Sequence, residues 1–166
     1  EAVVAYERLR EADPHDQFVL STLADLYVMQ DELPKAIALY EQLISEFGSS
    51  SQLHFNLGVL QGRSGQFMDA IEELSRALEL APKALEVRVA LGLTFELAGR
   101  ASEAAAHYEA ALSLSPLNAR LYHHAARAHV AAREYAQAVA SYEAALDLTP
   151  NDFDAMMGLV RVWLAQ

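Results

Sequence analysis

Apolar residues recur at three- and four-residue steps along almost the whole chain, which is the spacing of one buried face of an α-helix. The first such stretch covers residues 1–12, and Asp13-Pro14 ends it. No stretch alternates with period two, so the pattern predicts helices and no strands. The remaining helices are predicted over residues 17–30, 34–47, 51–64, 68–81, 85–98, 102–115, 119–132, 136–149 and 153–165.

The residues at the helix ends support these boundaries. Asp16, Asn118 and Asp152 each stand just before a predicted helix, where a short polar side chain can cap the free N–H groups. Gly65 and Gly99 stand just after a helix, where a left-handed backbone is common.

The pattern repeats every 34 residues, as Pro82, Pro116 and Pro150 show. Such a period indicates a repeat architecture, in which each unit packs on its neighbours. Equivalent positions form a small-residue column and a bulky column: Ala2, Ala36, Ala70, Ala104 and Ala138, followed by Tyr6, Tyr40, Leu74, Tyr108 and Tyr142.

The columns also predict packing. Gly58 and Gly92 are expected where two paired helices cross closely, because a side chain there would push them apart. Trp163 lies in the column of Tyr27 and Phe95, which predicts a core residue.

These motifs resemble the tetratricopeptide repeat family over essentially the whole chain. The family's Leu-Gly pair matches Leu57-Gly58 and Leu91-Gly92, and its repeat end matches residues 77–82 and 145–150. The resemblance implies an all-α fold, a right-handed superhelical α-solenoid of antiparallel helix pairs. We expect one array over residues 1–166, cut from a longer protein. Its parts are a second helix of a partial repeat over 1–16, full repeats over 17–50, 51–84, 85–118 and 119–152, and a first helix of a partial repeat over 153–166.

Composition narrows the function. The net charge of −11 disfavours nucleic acid as a partner, and no apolar run approaches the length of a membrane span, so we expect no membrane insertion. The absence of cysteine excludes disulfides and thiol catalysis. Such a chain suits cytoplasm and periplasm, and we favour the cytoplasm.

No catalytic or metal-ligating pattern emerges, so we expect no enzyme activity, cofactor or metal. His123, His124 and His129 share a helix, but no two are four residues apart as a helical metal site requires. His54 and His129 fall in packing columns. Because the family usually has an apolar residue at the position of His54, we expect looser packing there or a side-chain tip that reaches solvent.

The resemblance implies that the first helix of each pair lines a concave groove, which in this family binds a peptide or a segment of a partner. The implied groove is apolar toward the N-terminus and basic toward the C-terminus, which favours an acidic or C-terminal carboxylate-bearing partner segment. The alternative is that the groove arginines pair internally with Glu86, Glu96 or Asp154. The candidate partner-binding residues are Phe18, Val28, Met29, Phe55, Val59, Arg63, Val89, Leu93, Leu97, Arg120, His123, Arg127, Met157 and Arg161.

The predicted function is therefore that of a protein–protein interaction scaffold or adaptor. One alternative is a recruitment domain within a larger enzyme, such as a bacterial transferase, and a third idea is a sensor of a small ligand or signalling peptide. The first and last helices present apolar residues without a paired helix, which predicts either head-to-tail self-association through these terminal helices or flanking sequence that covers both.

Overall fold

The computed structural model describes residues 1–165, and these residues form ten α-helices. Every predicted helix is present, with each end within one residue of its predicted position. The helices are α1 (Ala2–Ala12), α2 (Gln17–Met29), α3 (Leu33–Phe47), α4 (Ser51–Arg63), α5 (Phe67–Leu80), α6 (Leu85–Leu97), α7 (Ala101–Leu114), α8 (Ala119–Ala131), α9 (Tyr135–Leu148) and α10 (Phe153–Ala165).

The predicted N-caps all form. The Asp16 carboxylate accepts hydrogen bonds from the backbone N–H of Phe18 and Val19, at 2.9 and 3.1 Å. Asn118 caps α8, and Asp152 caps α10 by accepting from the N–H of Ala155 at 3.1 Å. These bonds satisfy N–H groups that the helices themselves leave free.

Each full repeat turns through a left-handed residue between its two helices. Gly65 and Gly99 have φ values of 82° and 74°, as predicted. The equivalent residues of the other two repeats are Asp31 and Arg133, with φ values of 60° and 62°. A side chain in this conformation is unfavourable, so the geometry of the repeat overrides the local preference at these two positions.

The chain forms two compact units, Glu1–Pro82 and Lys83–Gln166, which divide close to the predicted repeat boundary. In the first unit, α1 to α5 pack consecutively, each helix on the next. Its core contains residues of both the small and the bulky columns: Leu20, Leu23, Ala24, Tyr27, Ala36, Leu39, Tyr40, Leu43, Leu57 and Leu60.

In the second unit, α6 to α10 pack in the same consecutive way, and α8 also contacts α10. The last three helices share a core that consists of Ala126, Ala138, Tyr142, Ala145, Ala155, Leu159 and Val162.

The predicted close crossings are confirmed within each unit. A Cβ built on Gly58 would lie 2.7 Å from Cγ of Leu74, and one on Gly92 would lie 2.6 Å from Cε1 of Tyr108. Both distances are well inside van der Waals contact. A glycine is therefore required at these positions for the paired helices to approach this closely.

Two sequence predictions about single residues are wrong. Trp163 is 58% exposed rather than buried, because no described helix covers this side of α10. His54 is buried, and its imidazole Nδ1 pairs with the Glu73 carboxylate of α5 instead of reaching solvent. This hydrogen bond supplies the partner that the buried imidazole needs, and so the start of α4 is not loosely packed.

Candidate functional site

An open cleft of about 680 Å³ lies in the second unit, formed by α8, α9 and α10. It brings together five of the predicted partner-binding residues. These are Arg120, His123, Arg127, Met157 and Arg161.

The helical period explains why these side chains share one surface. Arg120, His123 and Arg127 are spaced by three and four residues, so they follow one face of α8. Met157 and Arg161 are four residues apart on α10, which contacts α8 directly. Side chains of two neighbouring first helices, α8 and α10, thus line the cleft together.

Tyr142 of α9 also lines the cleft, and only 6% of this residue is exposed to solvent. Its ring lies against the backbone of Gly158, which is sixteen residues later on α10, the first helix of the following repeat. The residue sixteen positions after the tyrosine carries a side chain in two other places. Asn56 hydrogen-bonds to Tyr40, and His124 stacks on the Tyr108 ring. The missing side chain at Gly158 leaves the Tyr142 ring as a wall of the cleft.

The tyrosine hydroxyls of the bulky column differ in their partners. The Tyr40 hydroxyl donates to the Asp25 carboxylate at 2.7 Å, and the Tyr108 hydroxyl donates to Glu96 at 3.1 Å. Among residues 1–165, the Tyr142 hydroxyl has no hydrogen-bond partner. Burial raises the pKa of Tyr142, and the positive charges of Arg127 and Arg161 oppose that rise.

The arginines of the cleft are not equivalent. Arg127 donates to the Glu96 carboxylate of α6 at 2.7 Å, so internal pairing holds for this residue. Within the described part of the chain, Arg120 and Arg161 form no ion pair. Because they line the cleft with charges that no carboxylate of residues 1–165 neutralises, these two residues are the groups best placed to meet an anion.

The acidic groups of the cleft lie at its α10 end. His123 Nε2 is 2.6 Å from the Asp152 carboxylate, which also caps α10. The hydrogen bond from His123 is the main reason why the pKa of Asp152 is lowered. Asp154 is exposed at the mouth of the cleft. The cleft therefore carries mixed charge, with its unpaired cations on α8 and on the second half of α10.

A smaller cleft of about 200 Å³ lies in the first unit. It brings together the predicted residues Val28, Phe55, Val59 and Arg63. The polar groups here are largely satisfied within the protein. Arg63 pairs with Asp31 at 2.8 Å, and the Tyr40 hydroxyl is held by Asp25 and Asn56. This cleft offers apolar surface rather than an unpaired charge.

The other five predicted residues line neither cleft. Phe18 and Met29 stand at the two ends of α2, where they are exposed by 69% and 82%. Val89, Leu93 and Leu97 follow one face of α6, on which Val89 is half-buried and Leu97 is exposed.

The described residues contain no group of three or more histidines and carboxylates that could hold a metal ion. Over the same residues, no helix has the length and apolar character needed to cross a membrane. The ring nitrogens Nδ1 of His107 and His124 are buried without a hydrogen-bond partner. Burial lowers the pKa of both imidazoles, so they are held in the neutral form.

Sequence reasoning placed Tyr142 in the framework and missed Gly158 and Asp152 as parts of the cleft. The sequence does carry a sign of the role of Tyr142. Its repeat has Arg127 where an earlier repeat has Asp25, and Val130 where the preceding repeat has Glu96. A carboxylate acceptor is thus replaced at both positions, which leaves the Tyr142 hydroxyl unpaired.

Family comparison agrees with the repeat architecture. A tetratricopeptide repeat family model matches residues 55–119 and 124–166, which is more than half of the chain, and a second such model matches residues 19–50.

Solved structures show the same fold. A crystal structure of MamA covers 89% of this chain and 86% of its own, with a TM-score of 0.81 and 24% identity. A crystal structure of YrrB, described as a tetratricopeptide repeat protein with an unusual peptide-binding site, covers 94% of this chain and 80% of its own, with a TM-score of 0.82 and 21% identity. At these identities the likeness is one of fold.

One curated relative shows sequence similarity. The protein O-mannosyl-transferase Tmtc2 of Drosophila melanogaster is 33% identical over 95 residues, which is 54% of this chain. The match spans only about 10% of the length of that relative.

Proposed function

Because this chain belongs to the tetratricopeptide repeat family, we propose that it is a non-catalytic protein-interaction module that holds a segment of a partner protein in the cleft of its second unit. The observation that carries the proposal is that Arg120 of α8 and Arg161 of α10 both line that cleft without an ion pair to any described residue. An acidic partner segment would supply the carboxylates that the described residues do not provide to these two arginines.

The chemistry of the cleft suits a peptide segment better than a small metabolite. The cleft is open along one side, and Met157 and the Tyr142 ring provide apolar surface beside the arginines. Guanidinium groups form charge-assisted hydrogen bonds with carboxylates, and apolar anchors beside them contribute affinity. Because the net charge of the protein is −11, the rest of its surface repels acidic chains. An acidic segment would therefore be directed to the two arginines of this cleft.

The test is affinity capture from a cell extract with two charge-reversal variants. The first carries Arg120→Glu and Arg161→Glu. The second carries Arg8→Glu and Arg133→Glu, which makes the same change in net charge at exposed arginines outside the cleft. Circular dichroism checks that both variants keep their helices.

We expect proteins captured by the wild type and by the Arg8/Arg133 variant to be lost from the Arg120/Arg161 variant. An Arg127→Gln variant should capture nearly as well as the wild type, because Glu96 already neutralises Arg127. Equal capture by all the variants would refute a role for the cleft cations.

The apolar cleft of the first unit is a second proposed contact. Val28, Phe55 and Val59 would receive an apolar side chain of the same partner. A Val59→Asp substitution should weaken capture without a change in helicity, because it places a charge among these apolar side chains. An unaltered capture profile would restrict the binding site to the second unit.

The similarity to Tmtc2 supports a second candidate, in which these repeats recruit a protein substrate to a catalytic domain of a larger transferase. The full-length gene decides this directly. If it encodes a transferase domain, removal of residues 1–166 should impair turnover of a protein acceptor and spare turnover of a small acceptor. A gene without any catalytic domain excludes this candidate.

Self-association through the terminal helices is a further part of the proposal. Exposed apolar residues occur on α10, at Val160, Trp163 and Leu164, and on α1, at Val4 and Leu9. Val160 occupies the position at which the other first helices have alanine or glycine. Because valine is larger, α10 of one molecule and α1 of another would pack farther apart than the two helices of a full repeat. Light scattering should show a mass that rises with concentration and falls on Trp163→Glu, whereas a constant monomer mass would refute it.

A further inference from the structure

We propose that the Tyr142 hydroxyl is the specificity-determining donor of the second unit's cleft, where it donates a hydrogen bond to a carboxylate oxygen of the partner that Arg120 and Arg161 attract. This inference rests on the proposed function and adds to it a residue that distinguishes a carboxylate from a neutral amide. The ligand class is a carboxylate, from an acidic side chain or from a chain terminus.

The hydroxyl of Tyr142 is the first observation that points to a ligand. Tyr40 and Tyr108 in the same column bond their hydroxyls to carboxylates of their own repeats. Tyr142 lines the cleft with only 6% of the residue exposed, and its hydroxyl has no partner among the described residues and is not one of the fully buried polar atoms, so it can be reached from the cleft. A bound acceptor atom would accept the hydrogen bond that this hydroxyl can donate.

Gly158 is the second, independent observation. At the equivalent positions, Asn56 and His124 place side chains against their tyrosines. At position 158 a Cβ would lie 2.3 Å from Cζ of Tyr142, and the next nearest contacts are also ring atoms. The backbone therefore approaches the ring closely and leaves no side chain over it, which keeps the hydroxyl accessible from the cleft.

The charges around the hydroxyl favour an anionic acceptor. Arg127 and Arg161 act on the Tyr142 side chain strongly enough to oppose the effect of burial on its pKa. The His123 and Tyr142 rings meet edge to face, with 6.1 Å between ring centroids, and His123 Nε2 is hydrogen-bonded to the Asp152 carboxylate. Asp154 is the remaining acidic group of the lining, and it is solvated at the mouth. Because Glu96 pairs with Arg127, Arg161 is the charge near Tyr142 that has no carboxylate partner among the described residues.

The experiment uses three dye-labelled pentapeptides and fluorescence anisotropy at pH 7.5. The first has a central glutamate flanked by leucines, with both ends capped. The second replaces the glutamate with glutamine, and the third is the glutamine peptide with a free C-terminal carboxylate. Each is titrated with the wild type, Tyr142→Phe, and Tyr40→Phe as the matched control, since Tyr40 occupies the same column in the first unit.

We expect the wild type to bind at least one carboxylate peptide about tenfold or more tightly than the capped glutamine peptide, and Tyr142→Phe to lose most of that preference, because a hydrogen bond to a charged group contributes a factor of this order. The two carboxylate peptides show whether a side chain or a terminus is preferred. Tyr142→Phe should unfold at the same urea concentration as the wild type, since its hydroxyl has no internal bond to lose. Tyr40→Phe should keep the preference and lose some stability, because it gives up the bond to Asp25.

A Tyr142→Phe protein that retains the full carboxylate preference would overturn the inference, and so would a wild type that binds the three peptides equally or not at all. Either result leaves the proposed function to the capture experiment, which depends on the two arginines and not on Tyr142. Loss of differential capture there would instead refute the proposed function itself.

Discussion

The Tyr142 ring and the Gly158 backbone lie so close that a Cβ at position 158 would be 2.3 Å from Cζ of the ring. This contact joins α9 to α10 and is also a wall of the larger cleft. Packing and the candidate binding surface therefore depend on the same pair of residues.

A Gly158→Ala substitution should destabilise the second unit by about 1–3 kcal/mol, because the added methyl group has no space and must displace the ring. The higher helix propensity of alanine offsets part of this cost. Urea denaturation followed by circular dichroism measures the effect. Adding Tyr142→Leu, which removes the ring, should recover stability relative to the single variant, and a single variant as stable as the wild type would contradict the packing argument.

An Arg133→Gly substitution should stabilise the protein by about 0.5–1 kcal/mol, because Arg133 has a positive φ of 62° that glycine adopts without strain. Arg133 is exposed and has no ion pair with any described residue, so little is lost with the side chain. The midpoint of urea unfolding measures the gain. In the reverse control, Gly99→Ala should lower the midpoint, since Gly99 occupies the same turn with a φ of 74°; a lower midpoint for Arg133→Gly would contradict the prediction.

Replacing His107 with phenylalanine should flatten the dependence of stability on pH. The pKa of His107 is lowered in the folded protein, mainly by burial and also by Arg88, whereas the unfolded value is about 6.5. Its contribution to stability is therefore fully present above about pH 6.5 and is lost as the pH falls toward the folded value. The free energy of unfolding of wild type and His107→Phe, compared from pH 8 to pH 5, measures this.

The phenylalanine keeps the stacking on Phe95, which has a centroid distance of 5.2 Å, and it removes the unpartnered Nδ1. We therefore expect His107→Phe to gain on the wild type as the pH falls. A constant difference across this range would show that His107 titrates alike in the folded and unfolded states.

An Asp152→Asn substitution should weaken α10 at neutral pH but not in acid. The pKa of Asp152 is lowered by the hydrogen bond from His123 and by the capped N–H of Ala155. Its carboxylate thus stabilises the fold above the unfolded pKa of about 3.9, and this contribution is lost as the pH falls through the folded value. Asparagine retains the cap, so the comparison isolates the charge.

The measurement is the difference in unfolding free energy between wild type and Asp152→Asn at pH 7 and at pH 3. The wild type should be the more stable protein at pH 7, and the difference should be smaller at pH 3, where protonation of the carboxylate has begun to remove it. An Asp152→Ala variant, which removes the cap as well, should cost about 1 kcal/mol at both values.

Much of the cleft could be predicted from the sequence. Arg120, His123 and Arg127 share a helix face by spacing alone, and the 34-residue period places Arg161 beside Arg127 on the neighbouring first helix. The pairing state of each arginine could not be predicted in this way. Glu96 pairs with Arg127, and Arg161 has no ion pair with any described residue, because of side-chain distances of a few ångströms that periodicity does not specify.

The sequence by itself determined the ten helices, their caps and the columns that pack them, because helix period, capping residues and a strict repeat are local properties that five successive copies reinforce. Tertiary structure alone decided that Trp163 is exposed, that His54 is buried against Glu73, and that the Tyr142 hydroxyl has no partner among the described residues. These outcomes depend on which atoms of another helix come within contact or hydrogen-bond distance, and that is settled only when the helices pack.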